Sequence, residues 1–195
     1  MRRPRTIAAA LVALGLSACA TPLHQQEAEL ALADICCTSP RQFSWVDVAV
    51  GQTVALDVGP DSQVYDFGTG KSHFAAVRLG GSGPRILLIK SRYNGQTTEQ
   101  YFHPLVIFYG EDQSVVSRVE TRVSQTTDSP LGPLYMRAEV AVPVTARFAS
   151  LSMSAEARAR AGTPPPTPLQ WSIVQGPSHT PAPTGRMDLT LEPGK

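Results

Sequence analysis

The stretch QVYDFGTGKSHFAAVRL, residues 63–79, decides between two kinds of fold. Its centre, GTGKS, looks like the end of a phosphate-binding loop, which would make the chain an α/β nucleotide binder. Such a loop needs a glycine, four residues, then Gly-Lys-Ser/Thr, with a strand before it and a helix after it whose N-terminus faces phosphate. Counting back from Gly70-Lys71-Ser72 puts Tyr65 where the first glycine must stand. HFAAVRL carries no capping pattern and ends at Gly80-Gly81, so it reads as a strand at least as well as a helix. The simpler reading is a Gly-rich turn between two strands, with Gly70 at positive φ. No nucleotide and no other cofactor is expected.

Outward from that turn the pattern is strand-like. TVALDV puts Val54, Leu56 and Val58 on one face. SVVSRVETRV puts Val115, Val119 and Val123 on one side and Arg118, Glu120 and Arg122 on the other. LYMRAEVAV sends Leu134, Met136, Ala138, Val140 and Val142 inward and Arg137 and Glu139 outward, and RMDLTLE repeats the device with Met187, Leu189 and Leu191. Alternation of this kind marks a sheet with one wet face. RILLIK and PLVIFY are continuous apolar runs, as in central strands buried on both faces. Turn signals separate the runs: GGSGP (80–84), Asn94-Gly95, DSPLGP (128–133) and QGPSHTPAPTG (175–185). SAEARARAG (154–162) is the one convincing helical turn, and TPPPTP after it reads as a stiff extended loop. About nine or ten strands at this spacing predict an all-β chain, an antiparallel β-sandwich of jelly-roll-like arrangement.

The N-terminus reads as an export signal. Arg2, Arg3 and Arg5 precede a short apolar run from Ile7 to Leu16, too short to span a bilayer, which needs roughly 20 apolar residues. The run closes in LSAC, which resembles the lipobox of bacterial lipoproteins, with Cys19 the lipidated residue. Ala20 stands where an aspartate would signal inner-membrane retention, which favours an outer-membrane anchor facing the periplasm of a Gram-negative cell. Three segments follow: a signal peptide (1–18), a lipid-anchored tether with a few turns of helix (19–35), and a single domain (36–195). Without the signal, 14 basic residues stand against 16 acidic ones, so no basic footprint for nucleic acid is present. Cys36 and Cys37 are then left as an adjacent pair in an oxidising compartment. Their state is open among a vicinal disulfide, two free or mixed thiols, and an intermolecular bridge. Zinc is disfavoured, since it wants four spaced ligands.

Several of these stretches together resemble one family. Cys36-Cys37-Thr38-Ser39, the turn Phe67–Ser72, the strand ending in Arg78-Leu79, SRYNG, and YFHPLVIFYGED with its aromatic-x-Pro start at Phe102 are similar to the periplasmic maltose-operon protein (MalM) family. The similarity spans roughly 36–195, is specific in the first half and loose in the second. ARFASLSMSAEA (146–157) sits where relatives have a strand before a short helix. The resemblance implies a lipoprotein of the envelope linked to maltose or maltodextrin transport, acting as a binding or interaction module. It implies no catalytic residues. The alternative is a structural envelope lipoprotein that docks on an outer-membrane partner without binding sugar.

The residues themselves suggest little catalysis. GGSGP fails the Gly-x-Ser-x-Gly elbow because Pro84 takes the last glycine's place. His73 and His103, with Asp66 or Glu111, would form an acid–base or metal cluster only if the sheets brought them together. Glu111-Asp112 more simply mark a polar turn, and Lys71 and Arg78 a solvated face. The chain therefore reads as non-enzymatic. Flat aromatics for stacking on sugar rings are Tyr135, Trp45, Tyr93, Tyr101 and Trp171. Tyr135 leads, being on the outward face beside Arg137 and Glu139. Trp45 alternates with Asp47, and Trp171 pairs with Ile173. Packing is the competing reading for each.

Overall fold

The computed structural model describes residues 21–94, 100–161 and 179–194. The proposed signal peptide, Cys19 and Trp171 lie outside them. Helix α1 (Leu23–Leu32) comes first, then a 3-10 turn at Pro40–Gln42. The strands follow as β1 (Val46–Val48), β2 (Thr53–Val58), β3 (Gln63–Asp66), β4 (Lys71–Leu79), β5 (Arg85–Arg92), β6 (Gln100–Tyr101) and β7 (Leu105–Tyr109). Then come β8 (Val115–Glu120), β9 (Ser124–Thr126), β10 (Tyr135–Val142), β11 (Phe148–Ser152), helix α2 (Ala155–Ala161), β12 (Thr180–Pro181) and β13 (Gly185–Pro193).

Two sheets pack face to face. The first runs β1-β4-β11-β7-β8, with β3 also paired to β4; the second runs β2-β13-β5-β10-β9. Counting the principal strands β2, β4, β5, β7, β8, β10, β11 and β13 from first to eighth, the sheets read 1-8-3-6 and 2-7-4-5. That order is a pair of Greek keys wound into a jelly roll, and every pairing within it is antiparallel.

The inward faces follow the alternation. Leu56 and Val58, Leu87 and Ile89, Ala138, Val140 and Val142, and Met187, Leu189 and Leu191 come from one sheet. Val77 and Leu79, Val106 and Phe108, and Ala149 and Leu151 meet them from the other. On the second sheet the opposite face is wet, carrying Lys90, Arg137, Glu139 and Asp188. The run RILLIK is therefore covered on one side and only partly shielded on the other. PLVIFY is buried on both sides, because the N-terminal segment lies over the outer face of its sheet. Phe43 and Cys37 pack there on Phe74, Ile107 and Tyr109. Cys36 and Cys37 are joined as a vicinal disulfide, with Cys36 exposed and Cys37 buried.

Three further expectations need correction. The segment 19–35, read as a tether with a few turns of helix, forms that helix over Leu23–Leu32 but docks it on the sandwich. Leu30 and Gln26 of α1 are buried, so the folded body begins at the helix rather than at Cys36. Val115 does not share a face with Val119. A bulge sets Phe108 opposite Ser117 but Tyr109 opposite Val115, so the extra residue, Val116, turns Val115 to the other side and leaves it exposed. Leu134 precedes β10 and is exposed rather than inward. Asn94 pairs with Gln100 in an isolated antiparallel bridge, and the turn read from Asn94-Gly95 lies outside the described residues from Gly95 on. The short helix forms as read, over Ala155–Ala161, with the Ser154 hydroxyl accepting the Ala157 N–H at 3.1 Å as its cap.

Candidate functional site

The loop that resembled a phosphate cradle is a β3–β4 hairpin. Gly68 and Gly70 take φ of 75° and 114°, the region glycine tolerates and other residues do not. The Asp66 carboxylate accepts the Gly68 N–H at 2.9 Å, and the Phe67 N–H reaches the Gly70 carbonyl at 3.3 Å. A strand, not a helix, follows, so no row of amides faces outward. Lys71 is engaged instead: its Nζ donates to the Ala31 carbonyl at 3.0 Å, at the C-terminal end of α1 where a cation suits the helix dipole. The Ser72 hydroxyl donates to the His73 carbonyl and accepts the Met153 N–H. Arg78 pairs with Asp47 at 2.9 Å and lies over the Phe148 ring.

The histidines have separate surroundings. His73 points into the sandwich, and burial lowers its pKa, against smaller opposing effects of a Ser62 backbone bond and Glu29; Lys71 lowers it slightly further. His103 is held through Nε2 to the Thr121 carbonyl at 3.0 Å, with Tyr101 Oη 3.4 Å from Nδ1. Asp66 is spent on its turn. Glu111 sits in the β7–β8 turn, where the Asp112 carboxylate accepts the N–H and hydroxyl of Ser114, bonds that hold it below the usual carboxylate range. Among the described residues no three or more His, Cys, Asp or Glu side chains gather as metal ligands.

The aromatics divide. Tyr135 is on the outward face, as its strand pattern requires, yet it is buried there, 4% exposed. The Lys90 ammonium sits 5.0 Å from its ring centre and its hydroxyl donates to Asp128 at 2.7 Å. The same carboxylate binds Lys90, and that hydrogen bond raises the lysine pKa. Its ring face is occupied, so Tyr135 cannot stack on a sugar without displacing the lysine. Trp45 belongs to the aromatic cluster over the first sheet, with Phe148 at 4.8 Å and Phe43 at 5.5 Å between ring centres. Tyr101 is buried, edge-on to Tyr93 at 6.1 Å.

Of the four that are described, Tyr93 lines an open cleft. This cleft, about 670 Å³, lies at the α1 end of the sandwich, where β2 and β5 finish and β13 begins. Asp57, Asp61, Arg92, Asn94 and Arg186 share its wall. Arg186 donates to Asp57 at 2.8 Å, and the Arg92 Nε donates to Asp188 at 3.0 Å. Tyr93 stacks on His179 at 5.0 Å. Paired guanidinium and carboxylate groups offer many donors and acceptors at little net charge, which suits a neutral polyhydroxyl ligand better than an ion.

A second recess, of about 410 Å³, opens beside the hairpin between Tyr65, Phe67, Tyr109 and Arg118. Burial pushes the Tyr109 hydroxyl up to about 12 while Ser150 shares its hydrogen bond at 2.9 Å. Tyr65 stands out in the sequence only as the residue that breaks the phosphate-loop pattern. Its alternation with Val64 and Asp66, which puts it on the face of Phe67, is the signal that could have placed it at this recess.

No family model matches the chain, and no curated protein matches it. Among solved structures, the pre-peptidase C-terminal domain of collagenase from Bacillus anthracis is similar at 7% identity, over 76% of this chain and 95% of that one, with a TM-score of 0.33. A likeness at that level carries no argument about fold or function. The jelly roll rests on the strand order itself.

Proposed function

We propose that this chain is a lipid-anchored, periplasm-facing accessory protein of the maltose-operon type, a non-catalytic module that binds maltodextrin-class sugars. The family part of the proposal rests on the motifs between Cys36 and Tyr109. The binding part rests on the Tyr93 cleft. Its aromatic edge, its two guanidinium–carboxylate pairs and its neutral balance are what a chain of hydroxylated rings needs. One aromatic edge contact and a few hydrogen bonds contribute about 1 kcal/mol each, which corresponds to affinity on the order of millimolar.

Titration with maltotriose and longer maltodextrins, followed by calorimetry, tests this. Binding of that order is expected, with Tyr93→Ala weakening it roughly five- to tenfold. No heat with any of these sugars at roughly 10 mM, about tenfold above a millimolar dissociation constant, would remove the sugar-binding reading.

A second reading, docking on an envelope protein without sugar, is favoured by the edge strand β8, where Val115 and Val116 are both exposed on a sheet edge that is unpaired among the described residues. Photo-crosslinking from position 116 in intact cells tests it; the absence of any envelope partner counts against it.

A further inference from the structure

Helix α1 is pinned to the sandwich at both ends. Gln26, 3% exposed, donates through Nε2 to Gln100 Oε1 at 2.7 Å and to the Thr21 carbonyl at 2.7 Å, and its Oε1 accepts the Thr184 hydroxyl at 2.6 Å. One amide thereby ties the helix to β6 and to the entry of β13. Leu30 is buried on the next turn, and Lys71 holds the Ala31 carbonyl. Only Ala20, Thr21 and Pro22 separate Cys19 from the first residue of this docked helix. Fully extended, that connection reaches at most about 14 Å.

We propose that α1 acts as a rigid spacer that holds its end of the sandwich, and with it the Tyr93 cleft, against the lipid headgroups of the membrane that carries the anchor. The inference rests on acylation of Cys19. Thr184 both bonds Gln26 and lines the cleft, so the cleft opens directly beside the anchored helix. The opposite end, at the β10–β11 connection, stands about 30 Å further out, the length of nine-residue β13. The α1 sequence LHQQEAELAL contains no lysine or arginine, so the helix adds no cationic attraction to anionic lipid. Proximity comes from acyl chains and a short connection and is insensitive to salt. A loose tether would let the body tumble and expose all its faces equally; a docked helix gives it one membrane side. The cleft would then sample solutes at the bilayer surface rather than in the open periplasm.

The test uses the full acylated protein in phosphatidylethanolamine–phosphatidylglycerol vesicles that contain a headgroup-nitroxide lipid. A fluorophore is placed at His24→Cys on α1 or at Val144→Cys at the opposite end; both positions are exposed. Quenching is expected to be at least about twofold greater at 24 than at 144, given their separation. That ordering should persist at high salt. A ten-residue Gly/Ser insertion between Ala20 and Thr21 should abolish it, since the connection then reaches past the length of the sandwich. Equal quenching at the two positions, in protein that floats with vesicles, overturns the spacer while leaving the anchor intact. Protein that carries no acyl chain and fails to float overturns the anchor, and the spacer with it.

Discussion

Lys71 and Arg85 both belong to the structure rather than to a ligand. Lys71, the residue that made residues 63–79 resemble a nucleotide site, is a clasp for α1. Arg85 reads in sequence as the polar start of an apolar strand, yet it is 2% exposed. Its Nη1 donates to the carbonyls of Gly80 at 3.0 Å and Gly81 at 3.3 Å, and its Nη2 to Ala146 at 2.9 Å. One guanidinium thus satisfies carbonyls of the β4–β5 and β10–β11 connections that burial would otherwise leave bare. Arg85→Met should cost about 2–4 kcal/mol in denaturant unfolding, because it strands those carbonyls; a loss below about 0.5 kcal/mol would contradict the assignment. His73 gives a pH dependence. Burial lowers its folded pKa below that of the unfolded chain, against smaller opposing effects from the Ser62 backbone and Glu29. The unfolded state therefore binds the proton more readily, so this contribution is complete above about pH 6.5 and is lost as pH falls through the folded pKa. Urea midpoints of wild type should drop between about pH 7 and pH 5 more than those of His73→Gln. Parallel curves for the two proteins would exclude His73 as the cause.

At the scale of elements, the N-terminal strap and β11 explain each other. The first sheet is covered on its outer face by residues 37–45, and the contact is aromatic. Phe43 lies 4.4 Å from Phe74 and 5.1 Å from Tyr65 between ring centres. A strap pressed on one face and a second sheet on the other leave the central strand little room. That is why β11 reads Phe-Ala-Ser-Leu-Ser, with Ser150 and Ser152 fully buried among bulkier neighbours. In sequence that composition looks like a weak strand, but between β4 and β7 the small side chains let the strap approach. Phe43→Ala should cost about 3–5 kcal/mol, the usual loss for a buried phenylalanine, and should dim the near-ultraviolet circular dichroism of the cluster. A melting temperature equal to wild type would mean that the strap is not part of the core. The bulge at Val116 belongs to this scale too: one added residue reversed the face of Val115, which no alternation pattern reports.

Across the whole molecule, strand type was legible and strand company was not. TVALDV, LYMRAEVAV and RMDLTLE alternate because each has one wet face, and each is where that pattern puts it, apart from Leu134 just outside β10. PLVIFY is continuously apolar because a layer covers each of its faces, although nothing in those six letters names Phe43 and Cys37 as the second layer. The adjacent cysteines left three states open by chain geometry alone, and the fold sets them in one disulfide. Among the proposed stacking aromatics, Tyr135 was rightly placed outward but is roofed by Lys90 and Asp128, whose approach depends on β5 and the loop before β10 meeting. Tyr93 reaches the cleft only because the ends of β2 and β5 and the start of β13 converge there. The sequence by itself determined the all-β character, the faces of most strands and the turn at Gly68–Gly70, since local sterics and period-two burial are written residue by residue. The tertiary structure decided the docking of α1, the buried grip of Arg85 and the lining of the Tyr93 cleft. Each of these depends on which distant segments come to lie within a few ångströms of each other.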